Sequence, residues 1–479
     1  MHTETGKSAS LSLPALTALV VGSMIGGGIF SVPQGIASRA GAIAGLIAWG
    51  ICAIGMLALA LIFQSLSVRK PQLNAGVFAY ARAGFGEYIG FLSALGYWAA
   101  GCLGNVSFLV LYKSTMGAVV PAYGAGNTPV AILTSSLLLW GIHYLLLRGV
   151  KQAAVLNVVT TVAKVSGILV FVGITAWAFD FDIFRQNLRA DPGMQLGDIP
   201  AQVARAMYVA VFIFLGIESA NTYSRYARER RHVGIATITG FLLVLALVVA
   251  VSMFSFGVLP QAQLAELRNP STALVLKAVV GGWGAYFISI ALIVSLLGAF
   301  LSWTLVAAEV LFVASNEGSM PKFLGRQNRN DAPAAALWLT NGLVQVFLIV
   351  TLFAKSAYLL LLDMTSSMAI IPYLFVAAYG FRLAQTRETY GDDARARVQD
   401  LVVAGVAMLF SLYLLYVGGM KYLLLSTVIY GPGIVLFIVA RRERNEQVFG
   451  RGERALCLAL IIAAVVTVYG LVTGSLNLS

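Results

Sequence analysis

Apolar residues fall in long blocks along this chain, divided by short polar stretches. The blocks lie at 13–38, 42–66, 85–119, 127–147, 152–179, 201–224, 234–258, 284–315, 334–353, 358–381, 399–418, 420–440 and 455–473. Each approaches or exceeds the roughly 20 residues with which a helix crosses about 30 Å of hydrocarbon. The pattern therefore predicts an all-α polytopic membrane protein with about 12–13 membrane-spanning helices. Two blocks are broken near their centres. The first carries three consecutive glycines in Met24-Ile25-Gly26-Gly27-Gly28-Ile29-Phe30, and the sixth mixes glycine with polar residues in Phe214-Leu215-Gly216-Ile217-Glu218-Ser219-Ala220-Asn221. In hydrocarbon every backbone N–H and C=O needs a partner, so unwound chain is tolerated only beside protein or a water-filled cavity. Such backbone can hold a ligand. A half-helix N-terminus offers N–H donors and a positive dipole end to an anion, while nearby carbonyls accept from an ammonium. Blocks one and six also open two successive groups of five, the order expected of an inverted repeat with its site on the pseudo-two-fold axis.

Of 479 residues, 59% are hydrophobic and only 11% charged, which agrees with a chain held mostly inside a bilayer. The formal net charge of +12 could suggest nucleic acid, but its placement argues for topology. One set of alternate loops carries 22 of the 32 Lys and Arg, among them Arg69, Lys70, Arg82, Arg228, Arg382 and Arg441. The opposite set holds only Arg39, Arg185, Arg189, Arg205, Arg268, Lys277, Lys355 and Lys421. The positive-inside bias then puts the N-terminus in the cytoplasm and, with an odd number of helices, the C-terminus outside. No small-residue cleavage pattern precedes the first glycine break, so no removable signal peptide is expected. The longest extramembrane stretches, 180–200 and 259–282, are both assigned outside, and Leu264, Leu267, Leu274 and Leu276 suit short helices lying on the membrane face. Cys52, Cys102 and Cys457 lie in apolar blocks without pairing or ligand spacing, so neither a disulfide nor a metal site is expected. His2, His143 and His232 sit at the terminus or at block ends, and neither a phosphate-binding loop nor a soluble domain is present. That excludes covalent catalysis and nucleotide-driven pumping, and with them any enzyme or cofactor reading.

Four segments carry a family resemblance: Gly22-Ser23-Met24-Ile25-Gly26-Gly27-Gly28-Ile29-Phe30-Ser31-Val32-Pro33-Gln34, Asn74-Ala75-Gly76-Val77-Phe78-Ala79-Tyr80-Ala81, Phe214-Leu215-Gly216-Ile217-Glu218 and Leu301-Ser302-Trp303-Thr304. Together with Tyr422-Leu423-Leu424-Leu425-Ser426 they resemble the basic amino acid/polyamine antiporters of the amino acid–polyamine–organocation superfamily, and most of all the arginine:ornithine antiporters. The similarity runs from about Leu11 to the final helix. It implies a five-plus-five inverted-repeat transporter fold with broken helices 1 and 6. The parts would be a cytoplasmic tail at 1–12, a core at 13–397 with repeats at about 13–179 and 201–382, and additional membrane helices in 398–479.

The same resemblance implies roles. The substrate carboxylate would meet Ser23, Ile25, Gly26, Gly27 and Gly28, with Gly27 standing where related exchangers often have serine. The ammonium would face carbonyls at Phe212, Ile213 and Leu215. Trp303 would stack on the cationic side chain, a contact worth about 2 kcal/mol when desolvated. Phe212 and Asn105 match an aromatic and a polar position of the arginine/agmatine exchanger. Lys164 matches a lysine that in some relatives stands where sodium-coupled transporters of this fold hold their ion, although a structural ion pair is its plainer explanation. Tyr97 and Tyr373 are candidates for gating aromatics, with Glu218 beside them and expected above the substrate on the external side. Intramembrane charge is costly, roughly 2.5–3.5 kcal/mol on insertion scales, so each ionisable residue needs a partner or a role. Lys113 and Glu309 are assigned to helix ends, where long side chains snorkel, and Asp363 to the tenth-helix side of the site.

The leading reading is obligatory exchange of arginine for ornithine across a bacterial cytoplasmic (inner) membrane. The runner-up is proton-coupled uptake of lysine or arginine with Lys164 or Glu218 titrating. A non-transporting amino-acid sensor or a channel is disfavoured by the short loops and the two breaks. Lysine/cadaverine, histidine/histamine and agmatine exchange differ by only a few pocket side chains. Expected partners are cationic amino acids and the bilayer, with a second copy of the chain as a candidate and no nucleic acid.

Overall fold

The computed structural model describes residues 12–73, 76–124, 126–149, 151–218, 230–353 and 357–476. Two parts of the sequence motifs, Asn74-Ala75 and Ser219 to Asn221, lie outside the described residues. Among the described residues the chain is helical and has no strand. The first block is split: α1 (Leu13–Met24) is separated from α2 (Val32–Ala37) by the three glycines and a 3-10 turn at Gly28–Ser31, with a 40° bend between the halves. Then follow α3 (Ala42–Arg69), the short α4 (Val77–Phe85), α5 (Glu87–Gly117), α6 (Pro129–Leu147), α7 (Lys151–Trp177), the short α8 (Phe181–Gln186) and α9 (Ile199–Phe214). The second half has α10 (Arg230–Phe256), the short α11 (Gln261–Glu266) and α12 (Ser271–Val280), α13 (Gly282–Asn316), α14 (Ala334–Val350) and α15 (Ala357–Thr386). Beyond it come α16 (Ala394–Arg442) and α17 (Arg451–Val472).

Nine of these helices are long and apolar enough to cross a membrane, ten with the bent α1–α2 pair. α16 is 49 residues long because two spans run together at Gly419, whose φ of 69° and ψ of 176° are non-helical. That conformation is open to glycine and costly for other residues. Dividing α16 there and adding the shorter apolar α9 and α14 accounts for all thirteen blocks.

The neighbour relations are symmetric. α1 packs on α10 as α9 packs on α3; α5 packs on α15 as α13 packs on α7; and α4 lies against α5 and α15 as α12 lies against α13 and α7. Exchanging each span for the one five places later leaves these pairs unchanged. An odd offset also reverses the direction in which a span crosses. α5 is the central helix, with 94% of its apolar window buried by protein, whereas α17 is peripheral at 17%. In the 259–282 connection Leu264 and Leu276 are fully buried, because α11 and α12 lie against α2 at the second half of the broken first span, while Leu267 and Leu274 are partly buried.

Candidate functional site

The two breaks meet. Helix α9 ends at Phe214, and Gly216 takes φ +100°, where a Cβ would stand 3.0 Å from the Ser23 carbonyl oxygen. Ser23 Oγ donates to the Val20 carbonyl at 2.9 Å and to the Gly216 carbonyl at 3.1 Å, tying the end of α1 to the unwound turn after α9. On the other side of the break, a Cβ on Gly28 would lie 3.0 Å from the Phe212 ring and 3.2 Å from Ile213. The glycines thus let two backbones approach as side-chain-bearing residues could not.

A small cavity lies at this meeting point. Ser23, Gly26 and Gly28 line it from the first span, Phe212, Ile213 and Leu215 from α9, and Trp303 from α13. α5 contributes Tyr97, Gly101, Gly104 and Phe108, and α15 contributes Thr365, Ala369 and Tyr373. Nine of the fourteen residues singled out in the sequence are therefore on its wall. The Trp303 indole N–H points to the Ser23 carbonyl at 3.4 Å, and its ring stands 6.4 Å from that of Tyr97.

The other five surround the cavity without lining it. Ile25 is buried, and its N–H donates to Val21 O at 2.9 Å, while Gly26 N–H donates to Met24 O at 2.9 Å. Gly27 faces away, its missing Cβ directed at Leu296 and Leu111. Asn105 donates from Nδ2 to Thr304 Oγ1 at 3.0 Å, which pins α5 to α13 behind the pocket. Lys164 is fully buried on α7, and its ammonium donates to the Gly22 carbonyl in the last turn of α1. Glu218 follows the second break. Its carboxylate accepts hydrogen bonds from the Tyr97 hydroxyl, from the Tyr373 hydroxyl at 2.7 Å and from Gly216 N–H at 3.2 Å.

The side on which this cluster lies differs from the expectation. Tyr97 is in the first half of α5 and Tyr373 in the second half of α15, so with alternating spans both stand towards the face from which α1 starts. α9 runs opposite to α1, and the chain beyond its break therefore leads back to that same face. Lys113 also departs from its assignment. It does not snorkel: it is 1% exposed and donates to Thr351 Oγ1 at 2.8 Å, with the loop at Gly126 packed against it.

At the opposite end of the pocket is a second carboxylate cluster. Arg39, just past α2, makes two hydrogen bonds to Asp363 of α15, at 2.9 and 3.0 Å, and a third to the Arg205 carbonyl of α9 at 3.3 Å. The Tyr422 hydroxyl, just after the Gly419 kink, donates to the same Asp363 carboxylate at 2.7 Å. The sequence had marked Asp363 but not its partners. The available signal was Arg39 itself, a cation on the side otherwise poor in them.

The amino acid permease family model matches residues 11–424. The chain is 50% identical to an arginine/ornithine antiporter of Pseudomonas aeruginosa over 98% of its own length and 99% of the relative's. It is 39% identical to an L-lysine transport protein of Corynebacterium glutamicum, covering 98% and 97% of the two chains. It is 34% identical to an arginine/agmatine antiporter of Chlamydia pneumoniae, over the whole of both.

Proposed function

The chain belongs to the amino acid permease family, and from that premise we propose that it exchanges arginine for ornithine across a bacterial cytoplasmic membrane by alternating access, with its N-terminus inside. The chain is a multi-pass membrane protein, and its relatives are named for the transport of arginine, ornithine, lysine and agmatine. The observation that carries the reading is the meeting of two helix breaks under an aromatic wall. In this reading backbone N–H groups around Gly26, Gly27 and Gly28 take the substrate carboxylate, and the carbonyls of Phe212, Ile213 and Leu215 take the α-ammonium. The Trp303 ring then faces the cationic side chain, which arginine and ornithine share. Arginine and ornithine carry equal charge, so the swap moves no net charge and is independent of membrane voltage.

The Tyr97–Glu218–Tyr373 cluster closes the pocket on its cytoplasmic side, where a cationic substrate leaving or entering must part the carboxylate from its two hydroxyls. Lys164 holds the end of α1 from α7, at the position that the resemblance matches to the ion of sodium-coupled transporters of this fold. The two five-helix groups, 13–179 and 201–382, are the inverted repeats that rock about the site; the matching neighbour pairs support this.

Radiolabelled arginine uptake into proteoliposomes tests the reading. Vesicles preloaded with ornithine should accumulate label, and empty ones should accumulate little. A second reading, proton-driven uptake of lysine or arginine, draws on the buried Lys164 and on the lysine-transporting relative. Robust uptake into empty vesicles that grows with an inward proton gradient would establish it instead. Lys164→Ala should then abolish accumulation while sparing counterflow.

A further inference from the structure

We propose that a cavity at the seam of α3, α4 and α15 is a binding site for a phosphate group, carried either by a lipid headgroup or by a free anion; the proposal goes beyond the exchange reading and does not depend on it. The cavity measures about 400 Å³ and shares no lining residue with the substrate pocket. Lys70 and Gln72 line it from the chain just after α3, Tyr379, Arg382 and Thr386 from the last two turns of α15, and Glu388 from the chain beyond. α3 is the second span and α15 the tenth, so with alternating directions both end at the face from which α1 starts. Lys70 and Arg382 therefore stand where two spans leave the hydrocarbon, the level at which lipid phosphates lie and at which basic pockets between helices take anionic headgroups.

The four cations at this corner are not equivalent, and the difference singles out two. Arg69 donates to Asp400 at 2.8 Å, and Arg82 to Glu87 at 2.7 Å and Glu317 at 3.5 Å, so each already has a carboxylate. Lys70 has Glu388, but that side chain is 57% exposed, and a pair so open to water contributes little and parts easily. Arg382 has no carboxylate partner among the described residues. Its guanidinium donates to the Gly84 carbonyl of α4 and keeps further N–H groups for a ligand. Lys70 and Arg382 are also the two cations that the cavity wall carries. They flank a joint. The Tyr379 ring stacks on Tyr80 of α4 with centroids 6.3 Å apart, and a Cβ on Gly84 would meet it at 2.8 Å, so α4 and α15 are pressed together beside the cavity. A phosphate offers several acceptors at once, which Arg382 can meet bidentately and Lys70 as a point charge once Glu388 swings into water. Such an occupant fastens α4, which leads into α5 and Tyr97, to α15, which carries Tyr373.

The test follows the thermal midpoint of the full-length protein in detergent, so it needs no transport. Three probes are titrated at matched ionic strength: short-chain phosphatidylglycerol, short-chain phosphatidylcholine and inorganic phosphate. In the wild type phosphatidylglycerol should raise the midpoint saturably, and phosphatidylcholine, whose choline offsets its phosphate, should not. Lys70→Gln and Arg382→Gln should each raise the half-saturating concentration about fivefold, the loss expected for one cation beside a phosphate. Glu388→Gln, which removes the competitor for Lys70, should lower it about threefold. Should Arg382→Gln fail to fold once its Gly84 contact is gone, the opposed shifts of Lys70→Gln and Glu388→Gln carry the test. A response to inorganic phosphate as well as phosphatidylglycerol assigns the site to a free anion, and a response to phosphatidylglycerol alone assigns it to a headgroup. A midpoint that answers both lipids equally, or that answers alike in every variant, reports general solvation by lipid and overturns the site, as does a wild type that answers none of the three probes.

Discussion

A buried carboxylate lies beyond the pocket wall on each side, and the two are held differently. Towards the face from which α1 starts, Glu218 is held by two tyrosine hydroxyls and a backbone amide, with no cation among the hydrogen-bond partners described. Towards the opposite face, Asp363 is held by a guanidinium and one tyrosine. A carboxylate satisfied by neutral donors remains an attractive target for a passing cation, whereas one already paired with arginine presents no net charge. The difference teaches that one carboxylate is left to neutral donors, while the other joins helices through a charge pair.

The comparison is broken most severely by Glu218→Leu. It strands two buried hydroxyls and the Gly216 amide, each worth about 1–3 kcal/mol, so exchange should fall by about a hundredfold or more, with a lower thermal midpoint. Glu218→Gln keeps an acceptor but no charge; arginine should still bind while the pH profile of exchange flattens. An unchanged profile at near-normal rate would remove the charge-sensing role. Next in size, Trp303→Leu keeps apolar volume and deletes the ring face, and calorimetry should show roughly a tenfold loss of arginine affinity. That loss should be the same whichever end is open. Tyr208→Phe sharpens the Asp363 side. It removes only the 3.0 Å bond to the Leu414 carbonyl, so it should cost about 1 kcal/mol in unfolding and leave the KM for arginine alone.

The smallest effect is expected at the membrane surface, where Lys70 pairs with Glu388, a side chain 57% exposed. The hydrogen bond to Glu388 raises the Lys70 pKa above its ordinary value. Its stabilisation is thus fully present below the unfolded value of about 10.4 and lost only as pH rises through the folded one. Lys70→Gln should change stability by less than about 0.5 kcal/mol at neutral pH, measured by thermal unfolding, and should not affect either end of the pocket.

Much of this was readable in the chain. Block lengths marked the spans, because hydrocarbon thickness fixes helix length, and three adjacent glycines marked the first break, because no helix interior asks for them. The resemblance then brought Trp303, Phe212 and Tyr97 to one place, and all three line the cavity. What escaped were directions and long-range partners. Periodicity does not say which way Gly27 faces, and it points at Leu296 rather than into the pocket. Asn105, polar and in the right span, turned out to bind Thr304 behind the wall. Lys113 looked like an end-of-helix lysine until the Gly126 loop was seen folded over it. Glu218 was expected above the substrate on the external side; because the helix that carries it runs opposite to α1, it stands towards the face from which α1 starts.

The contact between Ser23 and Gly216 also has a hereditary meaning. The oxygen of one residue occupies the space that a side chain on the other would need, although 193 positions separate them along the chain. The oxygen in the way is a main-chain atom, so no change of side chain at 23 by itself makes room for one at 216. A side chain at 216 fits only where the backbone of the first break has already shifted, so the order in which substitutions arrive decides whether one there is tolerated.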